Sequence, residues 1–260
     1  MRVGVVTPTL NAERFLRETL ESIRSQQSHR IEIDHVLVDA GSIDRTTEIA
    51  SGFPTRVLMA LDGRGMYDQI DRGMREVKGD IVGYINGDDE IAPGALNAVA
   101  DALDDHPDAG WVCGRMEYID ESGGVLGRMQ PVRVSLRSFA GIGWSCIPQQ
   151  TVWARRSFFD RVGPFDTTLR NCADYDWYAR ALRLQHPVIL RQTLGRYRLH
   201  GAQLSLNQEA MERESRMVKE RNGGMGFGSF LLGKVLSLRL NARNPRWLIA
   251  KKTGRIKFTA

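Results

Sequence analysis

The chain has 260 residues, of which 42% are hydrophobic and 26% are charged. That composition is typical of a globular protein, and the length suits one α/β domain with an appendage and a large buried core. The three cysteines are scattered and form no CxxC spacing. This pattern argues against a disulfide framework or a zinc site and favours a reducing cytoplasm.

Charge is divided unevenly along the chain. Residues 213–260 carry 12 Lys and Arg against two Glu, whereas residues 1–212 carry 24 basic and 29 acidic residues. A basic tail on an acidic body predicts a partner with an anionic surface, and we expect that partner not to be a nucleic acid. The alternative is a solvated tail that binds nothing.

Apolar runs in this sequence are short. No run of 18 apolar residues occurs, and the first run, residues 3–6, is soon interrupted by Pro8 and Asn11. A membrane-spanning helix and a secretory signal both need a longer apolar segment. We therefore expect neither of them, and we expect a cytoplasmic protein.

Strand and helix patterns alternate from the start of the chain. Short β-rich apolar runs predict strands at 3–7, 33–39, 56–58, 81–85, 111–114 and 188–190. Amphipathic patterns predict helices at 12–26, 44–50, 67–77, 93–104, 155–162 and 175–184. The alternation predicts an α/β fold with a mostly parallel sheet that helices cover on both faces.

Ligands of such sheets bind beyond the carboxyl ends of the strands. Residues 7–11, 39–42 and 86–89 are therefore expected on one rim. The first turn lacks the GxGxxG motif of dinucleotide-binding sheets, so a nucleotide has to be held in another way. Asp39 can accept a hydrogen bond from a base or a ribose hydroxyl, although an Asp before Gly41 also suits a simple turn.

Two adjacent carboxylates, Asp88 and Asp89, follow the apolar run at 81–85. Such a pair, when it loses hydration, needs a cation or strong donors nearby. A hard divalent ion whose shell is completed by substrate phosphates meets that need. The alternative is an acidic helix start ahead of Pro93.

Three polar residues farther along are further candidates. Asp174 and Asp176 flank Tyr175 just before a helix, where one of them can act as a general base at the edge of a cleft. Capping of that helix is the alternative. His200 is a lone histidine, for which a structural role is the alternative to a role in a site.

Seven motifs occur in a fixed order. They are VVTPTLN at 5–11, VDAGSID at 38–44, GMYD at 65–68, GDIVGYINGDD at 79–89, VGPFD at 162–166, ADYDW at 173–177 and YRLH at 197–200. Together they make residues 2–205 resemble the family 2 glycosyltransferases, which have the GT-A fold. The resemblance implies an inverting enzyme that moves a sugar from a nucleotide-diphosphate donor, usually a UDP-sugar, to an acceptor hydroxyl.

On the donor side, the resemblance implies that Thr7, Pro8 and Thr9 line the nucleotide pocket. It also implies that Asp39 binds the base, usually uracil. Arg64, which precedes the GMYD motif, is a further donor-side candidate.

For the chemistry, the resemblance implies that Asp88 and Asp89 fill the metal motif of the family and bind Mn²⁺ or Mg²⁺. Asp88 would also face the donor, and His200 would approach the metal or the diphosphate. Asp174 corresponds to the general base of the family. Asn86 departs from the pattern, because many members have the first acid of the metal motif there.

Two other classes of protein are alternatives. A sugar nucleotidyltransferase generally has a Gly-rich basic loop after its first strand, which residues 7–11 do not offer. A non-catalytic nucleotide-sugar-binding module is expected to lack a base, and Asp174 argues against it.

The resemblance also suggests how the chain is divided. Residues 1–212 would form the catalytic domain, with a nucleotide-sugar half at 1–114 and an acceptor half at 115–212. Residues 213–260 would form a basic amphipathic tail.

The acceptor is expected to be a saccharide or a lipid-linked molecule of bacterial polysaccharide or glycolipid synthesis. Trp144, Gln149, Gln150 and Trp153 are expected on its side of the cleft, although the aromatic residues suit a core equally well.

The tail predicts a peripheral membrane helix. Phe230, Leu231, Val235 and Leu238 recur at helical spacing, and basic residues surround and follow them. Such a helix lies in the interface of an anionic membrane, here the inner face of the plasma membrane. The alternative is that the same apolar face packs on the catalytic domain or on a second subunit in a homodimer.

Overall fold

The computed structural model describes residues 1–142, 146–201, 203, 208–254 and 256. Trp144, which we expect on the acceptor side, lies outside these residues, as do two basic residues at the end of the tail, Arg255 and Lys257.

Strands and helices alternate through the first half of the described chain. The strands are β1 (Arg2–Thr9), β2 (Glu32–Asp39), β3 (Arg56–Met59), β4 (Ile81–Tyr84), β5 (Glu90–Ile91), β6 (Trp111–Ile119), β7 (Val125–Met129), β8 (Trp153–Arg155) and β9 (Val188–Arg198). The helices are α1 (Leu16–Arg24), α2 (Thr46–Ser51), α3 (Met66–Glu76), α4 (Ala95–Asp105), α5 (Leu136–Ile142), α6 (Arg156–Val162), α7 (Ala173–Leu184), α8 (Gln208–Arg221), α9 (Phe227–Arg243) and α10 (Pro245–Lys252).

The strands form one mixed sheet in the order β3-β2-β1-β4-β8-β6-β9-β5, with β7 paired to β6. Strands β1 to β4 are mutually parallel, and β8 runs antiparallel to both β4 and β6. The predicted α/β fold is confirmed. Its parallel part is confined to β1–β4 and to the β6–β9 pair, and the second half adds antiparallel pairs.

The parallel strands are buried on both faces. Val6, Val36 and Val38 pack on one side of the sheet, whereas Val5 and Leu37 belong to the core on the other side. Successive side chains of a strand point to opposite faces, so a strand covered on both faces needs apolar residues at consecutive positions. This explains why these strands appear in the sequence as unbroken apolar runs.

Helix α3 lies unusually close to the sheet. A Cβ atom on Gly73 would be 2.4 Å from Cγ1 of Val6, which is too short for any real contact. Only glycine permits this approach. The contact fixes α3 on the sheet and thereby fixes the position of Tyr67 in its first turn.

The chain contains elements that the sequence pattern does not indicate, namely β5 in the first half and β7, β8, α5 and α8 later on. Two strands are also longer than expected, because β6 continues to Ile119 and β9 to Arg198. These two strands pair with each other over most of their length. A strand with polar residues is therefore stabilised by its neighbour rather than by its own apolar pattern.

Helix α8 packs on the loop that leads into α7. The buried carboxylate of Glu214 accepts hydrogen bonds from the backbone N–H groups of Arg170, Asn171 and Cys172, at 3.1, 2.7 and 3.0 Å. These residues form the loop that leads into α7. The expected boundary at residue 213 thus falls inside α8, next to the contact that joins α8 to the loop before α7.

Helix α9 packs against α5 through small residues. A Cβ atom on Gly233 would lie 2.4 Å from the carbonyl carbon of Gly141, so the two backbones are in direct contact. Ser229, Leu236 and Leu240 are buried on the same side of α9 as Gly233. Within the described part of the chain, no helix is both long enough and apolar enough to cross a bilayer.

Candidate active site

A cavity of about 1650 Å³ opens at the carboxyl ends of β1 and β4. Pro8 and Thr9 contribute to its wall at the end of β1, and Asp88 does so in the loop after β4. Asp174, at the start of α7, also lines it. The cavity exceeds the usual size of a small-molecule pocket, so it has room for a donor and part of an acceptor.

Asp88 and His200 meet on the wall of this cavity. Oδ2 of Asp88 lies 2.9 Å from Nε2 of His200, and the Asp88 side chain is about one-third exposed. The ring of Phe15 packs 4.9 Å from the His200 ring and supports its orientation. The structure thus brings together two residues that are 112 positions apart in the chain.

Asp89 points the other way, into the protein. Its Oδ1 accepts from the backbone N–H of Arg198 at 3.0 Å, and its Oδ2 accepts from Nε2 of Gln150 at 2.9 Å and Nδ2 of Asn86 at 3.4 Å. The residue is fully buried, and burial together with the charge of Asp88 raises its pKa well above the usual value. In this arrangement Asp89 supports the loop, and Asp88 is the carboxylate that faces the cavity.

A buried arginine holds the same loop in place. The guanidinium group of Arg198 donates to the carbonyl oxygen of Asp88 at 3.0 Å and forms an ion pair with Glu90. Arg196 pairs with Glu90 from the neighbouring side. A buried charge needs such partners, because an uncompensated one is costly in a low-dielectric interior.

We expect Arg198→Met to lower the free energy of unfolding by about 3–5 kcal/mol, because it leaves Glu90 charged, buried and deprived of one partner. Guanidinium unfolding followed by fluorescence measures this change. Arg30→Met is the matched control, since Arg30 forms only exposed ion pairs and little change is expected. Equal stability of the two variants would contradict the supporting role of Arg198.

The donor groups at Asp88 fit a hard divalent cation. Asp88 offers a carboxylate and His200 an imidazole nitrogen, and Oδ1 of Asn86 is a buried acceptor without a hydrogen-bond partner among the described residues. In the part of the chain that the structure describes, we find no cluster of three or more His, Cys, Asp or Glu side chains that could by itself hold a metal ion. A cation here would therefore depend on substrate phosphates for much of its shell, as Mg²⁺ commonly does.

Asp174 has the environment of a general base. Its Oδ1 accepts from the hydroxyl of Tyr67 at 3.0 Å and from the backbone N–H of Tyr175 at 2.8 Å. Both of these bonds end on Oδ1, and no described side chain donates to Oδ2. Burial raises the pKa of Asp174 to about 6, although the two hydrogen bonds oppose the shift.

The carboxylate of Asp176, the alternative base, forms an ion pair outside the cavity. It is buried away from the cavity and pairs with Nε of Arg180 at 2.8 Å, one turn farther along α7. Arg180 in turn donates to the carbonyl oxygens of Val162 and Pro164. The geometry therefore selects Asp174 over Asp176 as the candidate base.

Thr7 does not reach the cavity, contrary to our expectation for the donor pocket. Its side chain is fully buried, and its Oγ1 lies 3.0 Å from Nε2 of His35. Burial lowers the pKa of His35 to about 3, so this is a contact between neutral groups. Pro8 and Thr9, the next two residues, do line the cavity.

Asp39 stands at the expected rim, but its carboxylate turns back onto its own loop. Oδ1 accepts from the backbone N–H groups of Gly41 and Ser42 at 2.9 and 2.7 Å, and Oδ2 accepts from the hydroxyls of Thr9 and Ser42 at 2.9 and 2.6 Å. No part of Asp39 is exposed. Asp39 therefore fixes a turn of which Ala40 lines the cavity, which agrees with the turn-forming alternative.

A different arginine from the expected one lines the cavity. Arg64 is largely exposed, lies outside the cavity wall and pairs with Asp62 at 3.1 Å. Arg170, from the loop before α7, does line the cavity and forms no ion pair with the described residues. Its Nη1 lies 3.4 Å from the position that a Cβ on Gly65 would occupy. Sequence reasoning missed Arg170, because only the fold brings this loop to the GMYD motif.

The expected acceptor-side residues differ in their surroundings. Gln149 and Gln150 both line the cavity, from a 3-10 turn at Gln149–Thr151. Nε2 of Gln149 donates to the carbonyl oxygen of Tyr84 at 2.9 Å, whereas Gln150 bonds to Asp89. Trp153 is buried in the core on the other side of the sheet, so it has no place on the acceptor side.

Residues 4–163 match the sequence profile of Glycosyl transferase family 2. The chain belongs to this family. Among its curated relatives, a protein of Rickettsia typhi named an uncharacterized glycosyltransferase is 26% identical over 217 residues, which cover 79% of this chain and 67% of the relative. The PGL/p-HBAD biosynthesis glycosyltransferase of Mycobacterium bovis is 28% identical over 183 residues, which cover 68% of either chain.

Solved structures of TarS from S. aureus resemble this glycosyltransferase in fold. The complex of TarS with UDP superposes with a TM-score of 0.68 at 18% identity and covers 93% of this chain and 72% of the TarS chain. The complex with UDP-GlcNAc also has a TM-score of 0.68 at 18% identity and covers 96% and 79%. The GT-A fold expected from the motifs is thus confirmed.

Proposed function

We propose that this family 2 glycosyltransferase transfers a sugar from a UDP-sugar to an acceptor hydroxyl with inversion at the anomeric carbon. The placement of Asp174 carries the proposal, because it gives the cavity a carboxylate with a pKa of about 6, to whose Oδ2 no described side chain donates. A base whose pKa lies near the working pH is suited to accept a proton in the transition state.

The reaction is a single displacement. Oδ2 of Asp174 takes the proton of the acceptor hydroxyl as the hydroxyl oxygen bonds to the anomeric carbon. The bond between that carbon and the diphosphate breaks on the opposite face, and UDP leaves with the electron pair. Tyr67 holds Asp174 in position through its hydroxyl, since burial keeps the pKa of Tyr67 well above its ordinary value and the group stays a donor.

The loop that contains Asp88 would hold the diphosphate end of the donor. Asp88 and His200 are the groups that would hold Mn²⁺ or Mg²⁺ there. When bound, the ion neutralises negative charge on the departing diphosphate. Arg170, which lines the same cavity without an ion-pair partner among the described residues, would add a fixed positive charge.

The nucleotide would lie along the rim formed by Pro8, Thr9 and Ala40. Asp39 acts on it indirectly, by holding the turn that follows β2. The UDP and UDP-GlcNAc complexes of TarS support a uridine nucleotide as the donor group.

The far end of the cavity is more apolar and suits an acceptor with a hydrophobic part. Met116, Tyr118, Met129 and Trp247 contribute to its wall there. A lipid-linked or hydrophobic saccharide acceptor of bacterial polysaccharide or glycolipid synthesis fits this lining. The word biosynthesis in the name of the M. bovis relative supports a biosynthetic role.

The test is incubation of the full chain with a panel of UDP-sugars, Mn²⁺ and candidate acceptors, with release of UDP as the readout. Mass spectrometry then identifies the product, and the anomeric configuration is read by NMR. We expect UDP release and a product of inverted configuration. Release of pyrophosphate from a nucleoside triphosphate and a sugar phosphate would instead show a nucleotidyltransferase, and tight UDP-sugar binding without turnover would show a binding module.

A further inference from the structure

A second cavity, of about 540 Å³, lies on the surface between β9, the segment after β7 and the C-terminal end of α9. Four arginines line it, namely Arg133, Arg191, Arg239 and Arg243. We call it the arginine cavity. Its lining shares no residue with the active-site cavity, so it is a separate site.

The described residues do not balance the charge of this cavity. Among the described residues, no carboxylate lies within ion-pair distance of any of the four guanidinium groups, whereas other arginines of the chain, such as Arg72 and Arg180, are paired with carboxylates. Four like charges around one cavity repel each other unless an anion is present.

The arrangement is fixed by buried contacts. Nδ2 of Asn244, the residue after α9, donates to the carbonyl oxygen of Gln130 at 2.9 Å, and Oδ1 of Asn244 accepts from the backbone N–H of Gln130 at 2.6 Å. This pair joins the end of α9 to the end of β7. A favourable contact with the helix dipole accounts for cations in the last turn of α9, but it does not account for Arg133 and Arg191.

An apolar row leads along α9 to the same cavity. Leu231, Val235, Leu238 and Ala242 recur at spacings of four, three and four residues, so they share one face of the helix. The three large side chains are between 47% and 69% exposed, and Ala242 lines the arginine cavity. This face is opposite the buried stripe that packs on α5, so the packing of α9 leaves it uncovered.

We propose that the arginine cavity binds the phosphate group of an anionic phospholipid while the apolar row of α9 enters the membrane interface. Guanidinium groups match phosphate oxygens in a bidentate geometry, which favours phosphate as the anion. The adjoining apolar row distinguishes a lipid headgroup from a soluble phosphate, because only a lipid surface would cover both features at once. The proposal does not depend on Asp174 or on the metal site.

The arginine cavity includes residues outside the tail, which the tail sequence alone does not indicate. Arg239 and Arg243 belong to the tail, whereas Arg133 and Arg191 come from the acceptor half of the catalytic domain. The headgroup would therefore be bound by both parts of the chain. Trp247 and Lys251 of α10, which follows α9, line the apolar end of the active-site cavity, so a membrane at α9 would lie near the acceptor end.

The test is co-sedimentation of the full chain with phosphatidylcholine vesicles that contain or lack phosphatidylglycerol. We expect binding only with phosphatidylglycerol, and a loss of affinity of about 10- to 30-fold in Arg239→Gln/Arg243→Gln. Arg17→Gln/Arg24→Gln is the matched control, because it removes the same charge from the exposed face of α1 and should bind as the wild type does. Leu231→Ser/Leu238→Ser should also reduce binding with all arginines in place.

Other outcomes would overturn the proposal. Equal losses in both double-arginine variants would show attraction by net charge alone. If calorimetry shows that inorganic phosphate binds at the arginine cavity while the protein does not bind vesicles, the cavity is a site for soluble phosphate. Light scattering could instead detect a concentration-dependent dimer. If Leu231→Ser/Leu238→Ser abolishes that dimer, a second copy of the chain covers the apolar row. Transfer to a water-soluble acceptor should be unchanged in all these variants.

Discussion

Asp174→Asn is expected to lower turnover by about 10²–10⁴-fold and to leave the affinity for UDP within a few-fold of the wild type. The amide keeps the shape of the carboxylate but cannot accept the proton of the acceptor hydroxyl. The proposed nucleotide pocket lies at the ends of β1 and β2, among residues that Asp174 does not contact, so donor binding should persist.

Initial rates of UDP release and calorimetric titration with UDP measure the two quantities. Asp176→Asn is the control, because it makes the same chemical change two residues away on a carboxylate that pairs with Arg180 outside the cavity. It should retain turnover at temperatures well below its unfolding. Near-normal turnover in Asp174→Asn would rule out Asp174 as the base.

The pH dependence of kcat/KM is expected to follow the protonation of Asp174. The base must be deprotonated, so kcat/KM should rise with pH through about 6, the pKa of Asp174, and level off above it. A profile that stays flat from pH 5 to pH 8, if binding of the donor is also flat, would contradict this assignment.

The free energy of unfolding should change with pH in the opposite direction to kcat/KM. The folded-state pKa of about 6 is above the ordinary value of 3.8, so the folded protein binds this proton more tightly than the unfolded chain does. The resulting stabilisation is complete below pH 3.8 and is lost as pH rises through 6. Asp174→Asn should therefore have a Tm at pH 8 at least as high as that of the wild type, which separates a lost base from a damaged fold.

The first half of the fold could be predicted from the sequence because its strands are buried on both faces. A run such as residues 3–7 has to be apolar throughout, and the predicted strands there differ from β1–β4 by only a few residues. The second half could not be predicted in this way. Strand β9 continues to Arg198 through mostly polar residues because β6 pairs with it, and no local pattern reveals that partner.

The candidate site was predictable in its location but not in the direction of its side chains. The rule on strand ends placed Asp39, Asp88 and Asp89 at one rim correctly. Only the tertiary contacts show that Asp39 turns into its own loop and that Asp89 points inward to Gln150. These bonds join residues far apart in sequence or depend on backbone geometry, so residue identity alone does not determine them.

The contacts of the tail could also be predicted only in part from the sequence. The exposure of Leu231, Val235 and Leu238 agrees with the amphipathic pattern, but α9 also packs on the catalytic domain through Ser229 and Gly233. Small residues give a weak hydrophobic signal, although they permit the closest backbone contact. The sequence presents membrane binding and packing on the domain as alternatives, but the proposed membrane contact would use a different face of α9 from the one that packs on α5.

Removal of divalent cations with excess EDTA is expected to abolish transfer, and added Mn²⁺ or Mg²⁺ should restore it. Stabilisation of charge on a leaving diphosphate is worth several kcal/mol, which corresponds to a loss of about 10²-fold or more. Full activity in excess EDTA would show that Asp88 and Asp89 serve the helix start and the loop rather than a metal.

Asp88→Ala and Asp89→Ala should both reduce activity, but for different reasons that two further measurements separate. Asp88→Ala removes the carboxylate that faces the cavity, so Mn²⁺ binding in the presence of UDP, followed by electron paramagnetic resonance, should weaken while the free energy of unfolding changes little. Asp89→Ala leaves the buried donors of Arg198, Gln150 and Asn86 without their acceptor, at a cost of about 1–3 kcal/mol for each unsatisfied group.

Asp89→Ala should therefore unfold at a markedly lower guanidinium concentration than Asp88→Ala does. The opposite result, with Asp88→Ala the less stable variant and Asp89→Ala the one that loses Mn²⁺, would mean that Asp89 turns toward the cavity when the donor binds. Identical behaviour in both measurements would mean that the pair acts as one ligand. Either result would contradict the division of roles, because the geometry gives the two neighbouring carboxylates different partners: His200 at the cavity wall for Asp88, and the interior donors for Asp89.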